Sequence, residues 1–353
     1  MKKVFLLAIV IIATTSDYLF AQKVDLDRYS FSLGGMYQLP TEPFPEDYKT
    51  FNVKAKRIGN TGILPNSIEE RVNIGGWNKL ENDVKAHLSI EISFDNLIID
   101  KSEIKEAKSE SKDKAGKVTT TYSYTVAYQY SMGASHKITD YNGKTHPPSS
   151  YFKPSGTFTS STFSTYAAAS NYKNDNNAAF RDGFINELVD KYTGQLSRDM
   201  TVKWGLLKVG VNSHFWIMDS KKHPEQDSMQ ICAKFMKEKM PMYNVNMTSS
   251  EFKEIMMPFI GYFERLATRY KADEKADKKL RYSSYYNLAT LYYYLDDLDK
   301  SDVYADLLIK NDYDPGDGES IKKDNVILRQ VFKKAKIDKR HLSFDPSTFE
   351  GPK

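Results

Sequence analysis

Few residues in the sequence are of a type and at a spacing that could support catalysis or metal binding. Cys232 is the only cysteine in the 353-residue chain, and a thiol nucleophile requires a histidine base beside it. The apolar residues of segment 229–240 recur at helical spacing, so we predict that Cys232 is a buried core residue. The six histidines do not lie at metal-ligand spacing from one another. They are His87, His136, His146, His214, His223 and His341.

His136, Tyr141 and His146 could line a pocket, but no third metal ligand stands at a fixed spacing from the two histidines. The sequence also contains no HExxH, GxSxG, GxxxxGK[ST] or GxGxxG motif. We therefore predict a non-enzymatic protein with no catalytic residue, no metal site and no cofactor. Two carboxylates can meet in space without leaving a sequence pattern, so a glycosidase is not excluded.

A second candidate for metal binding is the acidic stretch 312–319, which contains two glycines. Calcium prefers clustered oxygen ligands in a glycine-containing loop. The spacing departs from the EF-hand pattern, because Gly316 would occupy the fifth position and no glutamate stands at the twelfth. The favoured interpretation is a turn between helices whose carboxylates cap a helix, and calcium binding is left open.

The chain contains 24 tyrosines, and four of them alternate along one stretch of extended sequence. Tyrosine rings aligned on one sheet face can stack on sugars or on protein surfaces. The same stripe can instead be a core face, because it matches the apolar stripe of Leu88–Phe94. The sequence thus leaves a carbohydrate-binding or carbohydrate-cleaving face as an alternative function. Its residues are Tyr122, Tyr124, Tyr128 and Tyr130.

These tyrosines require a sheet to position them, and the first half of the chain has the expected alternation. Leu88–Phe94 and 118–132 both alternate apolar or aromatic residues with polar ones. The charged segment 101–117 joins them, which predicts a long antiparallel hairpin within 86–138. We therefore predict a β-rich, sandwich-like antiparallel domain over 22–170.

The second half of the chain has helical spacing, so the predicted fold class is α+β. A helix–strand–helix segment is expected over 171–247, a helical domain over 248–340 and a tail over 341–353. Within the first of these, a helix is predicted over 176–196 and a strand over 201–211. The sequence Thr248-Ser249-Ser250-Glu251 is typical of a capping box at a helix start. A last helix is predicted over 321–335.

The most regular stretch of this helical half is 282–315. Its first helix carries a stripe of small and apolar residues. The four residues 296–299, three of which are aspartates, separate this helix from a second one. Small residues at Ala289, Ser301 and Ala305 would allow the two helix backbones to approach closely.

This stretch resembles the tetratricopeptide repeat, whose period is about 34 residues. Leu288-Ala289, Tyr292 and Pro315 match the positions of the family pattern, whereas Ser301 replaces an alanine, Ala305 an aromatic residue and Asp296 a glycine. The resemblance implies one degenerate helical hairpin that binds another protein in a concave groove. The tyrosines that the helix seam does not use are expected to line that groove. They are Tyr286, Tyr293 and Tyr294.

The N-terminal sequence has the features of an export signal. Two lysines precede an apolar segment, 4–13, and a cleavage site is predicted after Ala21, which gives a signal peptide over 1–21. The ending Phe-Ala-Gln resembles exported envelope proteins of Bacteroidota. We therefore expect the protein in the periplasm, with outer-membrane association or secretion as alternatives.

Charge and hydropathy indicate which classes of partner the protein is not expected to have. The chain has 50 basic and 46 acidic residues, a formal net charge of +4, and they are mixed along its length. A nucleic-acid-binding protein concentrates its positive charge, so we predict no nucleic-acid partner. No second stretch is long and apolar enough to span a bilayer, so the mature chain is not expected to be an integral membrane protein. The expected partner is another envelope protein, and the chain could be a subunit of a larger assembly into which the hairpin tip near 112–117 inserts.

Overall fold

The computed structural model describes residues 23–59, 61–147, 151–175 and 178–353, and the predicted signal peptide lies outside them. The described chain forms two compact units. The helical unit contains residues 23–42 and Leu206–Phe344, and the sheet unit contains Pro43–Gly205 and Asp345–Lys353.

In the sheet unit, one sheet has the strand order β3-β2-β4-β7-β8, with β9 paired to β7. It is a mixed sheet, because β4 pairs in parallel with β2 and antiparallel with β7. A short helix, α1 (Pro65–Glu69), follows β2. The strands are β2 (Thr50–Ala55), β3 (Asn78–Lys79), β4 (Leu88–Phe94), β7 (Ala134–Asp140), β8 (Thr145–His146) and β9 (Tyr151–Phe152).

A second sheet has the order β10-β6-β5, from β5 (Ile98–Lys112), β6 (Val118–Ser131) and β10 (Ser155–Thr159). The long hairpin is therefore β5–β6, and the prediction that Leu88–Phe94 forms its first strand is wrong. The charged segment that we assigned to the connection is itself a strand. Most of its residues are exposed on both faces, so it lacks the apolar alternation by which a strand is found in a sequence.

Helices cover the buried faces of these sheets, where the sequence had suggested sandwich-like packing of sheet on sheet. After α2 (Tyr166–Asn174), the long helix α3 (Ala178–Trp204) packs Phe184 and Leu188 in one core with β6. Further along, Leu196, Met200 and Trp204 pack in another core with β2 and β4. The predicted strand at 201–211 is wrong in its first residues, because this every-fourth-residue stripe continues the helix to Trp204.

The helical unit begins with β1 (Leu26–Gln38), which pairs antiparallel with β11 (Leu207–Met218). In the described chain α4 to α8 follow, and apolar residues of α4, α5 and α6 share one core with Phe31 and Phe215 of the two strands. These helices are α4 (Gln226–Lys239), α5 (Ser249–Arg269), α6 (Lys275–Tyr294), α7 (Leu298–Lys310) and α8 (Pro315–Ala335).

In this unit one predicted helix start agrees with the structure and another does not. The capping box of Thr248 and Glu251 is confirmed, and α5 continues through Pro258 without interruption. The last helix begins at Pro315, six residues before the predicted start, because proline is well suited to the first turn of a helix. Most of the acidic stretch is therefore helix rather than loop.

The α+β class is confirmed, but the compact units do not follow the predicted segments. β1 was expected in the β-rich domain and instead belongs to the helical unit, because it pairs with a strand about 180 residues later in the sequence. The end of the predicted tail, Asp345–Lys353, belongs to the sheet unit. There the side-chain amide of Asn78 donates to the Phe349 carbonyl at 2.9 Å. No helix in the described ranges is long and apolar enough to cross a membrane.

Candidate functional site

Helices α6 and α7 approach closely at the small residues that the sequence singled out. The Ser301 hydroxyl donates to the backbone carbonyl of Ala289 at 2.9 Å, and both residues are fully buried. A methyl group on Gly318 of α8 would lie 2.8 Å from the carbonyl oxygen of Ala305. The prediction of small residues at the seam of α6 and α7 is confirmed for Ala289 and Ser301, whereas Ala305 contacts Gly318 of the third helix.

A buried polar group fixes the position of α8 against α7. The Asn325 side-chain amide donates to Ser301 Oγ at 3.0 Å and to Asp302 Oδ1 at 2.7 Å. Because Ser301 also donates to α6, one hydroxyl connects all three helices. Both bonds are made by the amide nitrogen of Asn325, and they favour one relative arrangement of the helices.

One face of α6 holds the protein's own strand β11. The side-chain amide of Asn287 accepts from the Trp216 backbone N–H at 2.8 Å and donates to the Trp216 carbonyl at 2.9 Å. The backbone N–H and C=O of Trp216 therefore point away from β1, towards the free edge of β11. Asn287 thus covers a sheet edge that would otherwise present unpaired backbone groups.

The three tyrosines predicted to bind a partner contact the helical unit itself. The Tyr286 ring stacks on His214 with 5.5 Å between centroids. Tyr294 meets Phe31 edge-on at 6.0 Å, and Tyr293 lies beneath the guanidinium of Arg340 at 4.7 Å. Burial, together with the nearby Asp317 carboxylate, raises the pKa of Tyr286 to about 12. The predicted groove on this face is therefore filled by the chain's own strands and C-terminal segment.

Arg340 anchors the segment after α8 to the turn between α6 and α7. Its Nε donates to Asp296 Oδ1 at 2.6 Å, and its backbone N–H donates to Asp296 Oδ2 at 2.7 Å. Both side chains are almost fully buried. Asp296 has a positive φ of 59°, the conformation for which the repeat pattern uses glycine at this position. Arg340 also accepts, through its carbonyl, the backbone N–H of Tyr37 at 2.8 Å.

This arrangement leaves an apolar pocket of about 410 Å³ inside the helical unit. Its lining comes from the end of β1, from α8, from Val209 of β11 and from Arg340. The volume lies within the range of about 300–1,000 Å³ that is usual for ligand pockets. Its apolar lining residues include Met36, Leu39, Pro40, Leu328 and Val331.

One exposed lysine lines this pocket, and three more exposed lysines lie close to that lysine in the sequence. Lys334 lines the pocket, Lys333 precedes Lys334, and Lys336 and Lys339 follow on the same segment, all exposed. Within the described ranges none of the four forms an ion pair. The positive field of such a cluster attracts acidic groups and falls off over about 8–10 Å at physiological ionic strength. Exposed Ile327, at 49% exposure, extends the apolar surface along α8.

The tyrosine stripe of β6 is mostly core. Tyr128 and Tyr130 are buried, and the Tyr130 ring stacks on Phe184 of α3 at 3.9 Å. Burial and the hydrogen bond to Glu187 raise the pKa of Tyr130 well above its usual value. Tyr124 meets Tyr166 edge-on at 5.9 Å, so of the four tyrosines only Tyr122 is exposed. One exposed ring does not make the stacking platform that a sugar-binding face requires.

The histidines predicted near a pocket make separate structural contacts. His136 Nδ1 lies 2.7 Å from the Tyr192 hydroxyl, and His146 Nε2 lies 2.8 Å from Asp140 Oδ2. Burial opposes ionisation of Asp140, but His146 and two backbone N–H groups hydrogen-bond the carboxylate, so its pKa is lowered. Tyr141 packs instead against Tyr48 and His87.

The acidic stretch is likewise engaged by protein groups. The Tyr282 hydroxyl donates to Asp317, and the helix places that carboxylate in the first turn of α8. In the described part of the chain, no three or more His, Cys, Asp or Glu side chains are grouped so that they could hold a metal ion. Cys232 is partly buried, and burial raises its pKa to about 11, which keeps the thiol protonated and unreactive.

Three features of this unit were not predicted from the sequence: the role of Asn287, the role of Arg340, and the pocket. Asn287 stands between Tyr285-Tyr286 and Leu288-Ala289 on α6, which is a signal for a buried hydrogen bond but does not identify its partner. The basic run 333–340 was visible, but its neighbouring apolar wall comes from β1, which is about 300 residues away in sequence.

No family model and no curated protein matches this sequence. Among solved structures, a minor lipoprotein from Acinetobacter baumannii is 14% identical over 46% of this chain and 98% of that protein, with a TM-score of 0.22. A PDZ domain protein from Parabacteroides distasonis is 10% identical over 53% of this chain, which spans 39% of that protein's length, with a TM-score of 0.17. At these TM-scores neither likeness establishes a shared fold or a shared activity.

Proposed function

We propose that this protein is a non-enzymatic binding protein of the cell envelope whose helical unit docks a segment of another protein. The N-terminal sequence, with its basic start, apolar segment and small residue at Ala21, supports export. The consecutive helices α6, α7 and α8, joined by short turns and closely packed at small residues, support the likeness to a tetratricopeptide repeat. In this proposal the periplasm is the working compartment.

The docking surface is the pocket between β1 and α8, which takes the place of the tyrosine groove expected on α6. The observation that carries this placement is an apolar cavity of about 410 Å³ that is lined by Lys334. Three further exposed lysines lie on the same segment, and none of the four forms an ion pair in the described ranges. Apolar lining residues favour a buried hydrophobic side chain, and the lysines favour carboxylates next to it. The ligand is therefore an extended peptide segment with an apolar anchor flanked by Asp or Glu.

Peptide display against the mature chain tests this directly, because the selection works without a known partner. Random peptides selected on the unmodified protein should be enriched in an apolar residue beside Asp or Glu. The enriched peptides should bind at least about tenfold more weakly to Lys334→Glu and to Val331→Asp, a loss of about 1.4 kcal/mol. Val303→Asp is the matched control, because Val303 is exposed on α7 and lies outside the pocket.

Two outcomes would overturn the placement. One is an enriched motif without acidic residues, and the other is equal binding to the unmodified chain and to Lys334→Glu. Lys334 is exposed, so its substitution tests the site without disturbing the fold. If the motif is found, a photo-crosslinking residue at Lys334 would then identify the natural partner in solubilised envelopes.

A further inference from the structure

The outer part of the β5–β6 hairpin is a two-stranded ribbon that has two free edges. β10 pairs with β6 only over Ser155–Thr159, opposite 127–131. Beyond this, Phe163 forms a single bridge to Tyr124. From Val118 to Ser123, β6 has no strand partner on its outer edge among the described residues, and most of these side chains are exposed.

The hydrogen bonds show which backbone groups point outward from this edge. Tyr124 donates its N–H to the Phe163 carbonyl at 2.9 Å, and Phe163 donates its N–H to the Tyr124 carbonyl at 2.7 Å. Because antiparallel strands alternate inward-facing and outward-facing residues, every second residue from Tyr124 also points outward. The unpaired N–H and C=O groups of this edge therefore belong to Val118, Thr120 and Tyr122.

The two edges of the ribbon differ in charge. The outer edge of β5 carries lysines and glutamates along most of its length, including Lys105, Glu106, Lys108 and Glu110. Charged residues, lysine above all, are the usual protection of an exposed edge against unwanted pairing. β6 contains no charged residue from Val118 to Ser131, and its tip consists of β-branched and aromatic residues. One edge is therefore protected and the other is open to pairing.

We propose that the open edges of β6 from two copies of this chain pair antiparallel, about a twofold axis at Thr120. Thr120 then faces Thr120 of the second copy, and Val118 faces its Tyr122. All three residues have outward-pointing backbone groups, so each facing pair exchanges two hydrogen bonds. Threonine opposite threonine, and a β-branched residue opposite an aromatic one, are favourable cross-strand pairs. No facing pair contains a charge.

Geometry selects this register over its neighbours. A shift by one residue would place outward-facing groups opposite inward-facing ones, which removes the hydrogen bonds. A shift by two in one direction would require the backbone of Tyr124, which already pairs with Phe163. The opposite shift would place Gly116, in the hairpin turn with a φ of 82°, opposite Tyr122. Of these registers, the one centred on Thr120 uses the unpaired backbone groups of Val118, Thr120 and Tyr122 and does not require those of Tyr124.

Pairing would also stabilise the ribbon itself. A lone two-stranded hairpin is marginal in water, whereas a four-stranded sheet is not. The paired segment is short, and stable interfaces usually bury more than about 1,000 Å². The dimer is therefore expected to be weak and to depend on protein concentration.

Sedimentation velocity of the mature chain over a range of concentrations tests the proposal. The unmodified chain should show reversible dimerisation. Thr120→Lys and Thr120→Glu should each weaken it at least about tenfold, because like charges would face each other on the axis. An equimolar mixture of the two variants should form a heterodimer, since the charges then attract. Recovery in the mixture would also show that neither variant has simply lost its fold.

A proline pair gives the matched control for the edge. Thr120 and Glu110 are cross-strand partners, and both direct their N–H groups away from the ribbon, towards opposite edges. Thr120→Pro should weaken the dimer at least about tenfold, whereas Glu110→Pro should leave it unchanged. A chain that stays monomeric at all concentrations, or a dimer equally sensitive to both prolines, would overturn the proposal.

Discussion

The side-chain amide of Asn287 holds both backbone hydrogen-bonding groups of Trp216, at 2.8 and 2.9 Å. A carboxamide has one acceptor and one donor side, so it matches the free edge of a strand as a further strand would. Through this contact α6 binds β11, a segment of the same chain, on the face where the repeat resemblance implied an external partner. The proposed docking of another protein is therefore placed on a different surface, the pocket beside α8.

Replacing Asn287 by leucine should destabilise the protein, because it leaves the N–H and C=O of Trp216 without partners near the core. A buried unsatisfied group costs about 1–3 kcal/mol, so we expect a loss of about 2–4 kcal/mol in the free energy of unfolding. Urea denaturation followed by circular dichroism measures it. Asn212→Ala is the control: Asn212 is exposed on the same strand and bonds only to Ser32 in the described structure, so its loss should cost under about 0.5 kcal/mol.

The ion pair of Arg340 and Asp296 predicts strong coupling between two distant parts of the sequence. Arg340→Ala should cost about 3–5 kcal/mol, because it leaves the Asp296 carboxylate buried without its partner. Asp296→Gly relieves a strained positive φ of 59° but leaves the guanidinium unpaired. In a double-mutant cycle, the two substitutions together should therefore cost clearly less than the sum of the separate losses. Additive losses would show that the pair does not couple.

Stability should fall as the pH is lowered below about 6.5. Burial lowers the pKa values of His87, His214 and His223 from the usual value of 6.5. Below that value the unfolded chain binds protons that the folded chain does not, so stability is lost as the pH falls towards the folded pKa values. The His214→Phe variant keeps a ring to stack on Tyr286 and should show a weaker pH dependence of the melting temperature. An unchanged dependence would exclude His214 as a contributor.

Elements whose signal is local were predictable from the sequence. The alternation of Leu88–Phe94 corresponds to a strand with one buried face, and the Thr248 capping box marks the start of α5. The seam of Ala289 and Ser301 was also found, since helical spacing and side-chain size are both visible in the sequence.

Elements that depend on distant parts of the chain were not predictable. Nothing in the sequence of β1 shows that its partner is β11 rather than its neighbour β2. Strand β5 was not predicted, because a ribbon that is exposed on both faces needs no apolar stripe in its sequence. The tyrosines of α6 were assigned to a groove because helical periodicity separates faces, but it does not say what covers each face. Tyr286 and Tyr294 are covered by β11 and β1.

Two glycines in the first turns of α8 should respond in opposite ways to alanine. At Gly318 the new methyl group would lie 2.7 Å from Ile309 Cγ1 and 2.8 Å from the Ala305 carbonyl. Helix α8 would have to move away from α7, so Gly318→Ala should destabilise the protein by about 1–3 kcal/mol. At Gly316 the nearest atom is 3.6 Å away, and alanine should stabilise the helix by about 0.5–1 kcal/mol. Thermal denaturation of the two variants measures both effects. If Gly316→Ala lost as much stability as Gly318→Ala, the result would contradict the close contact of α7 with α8.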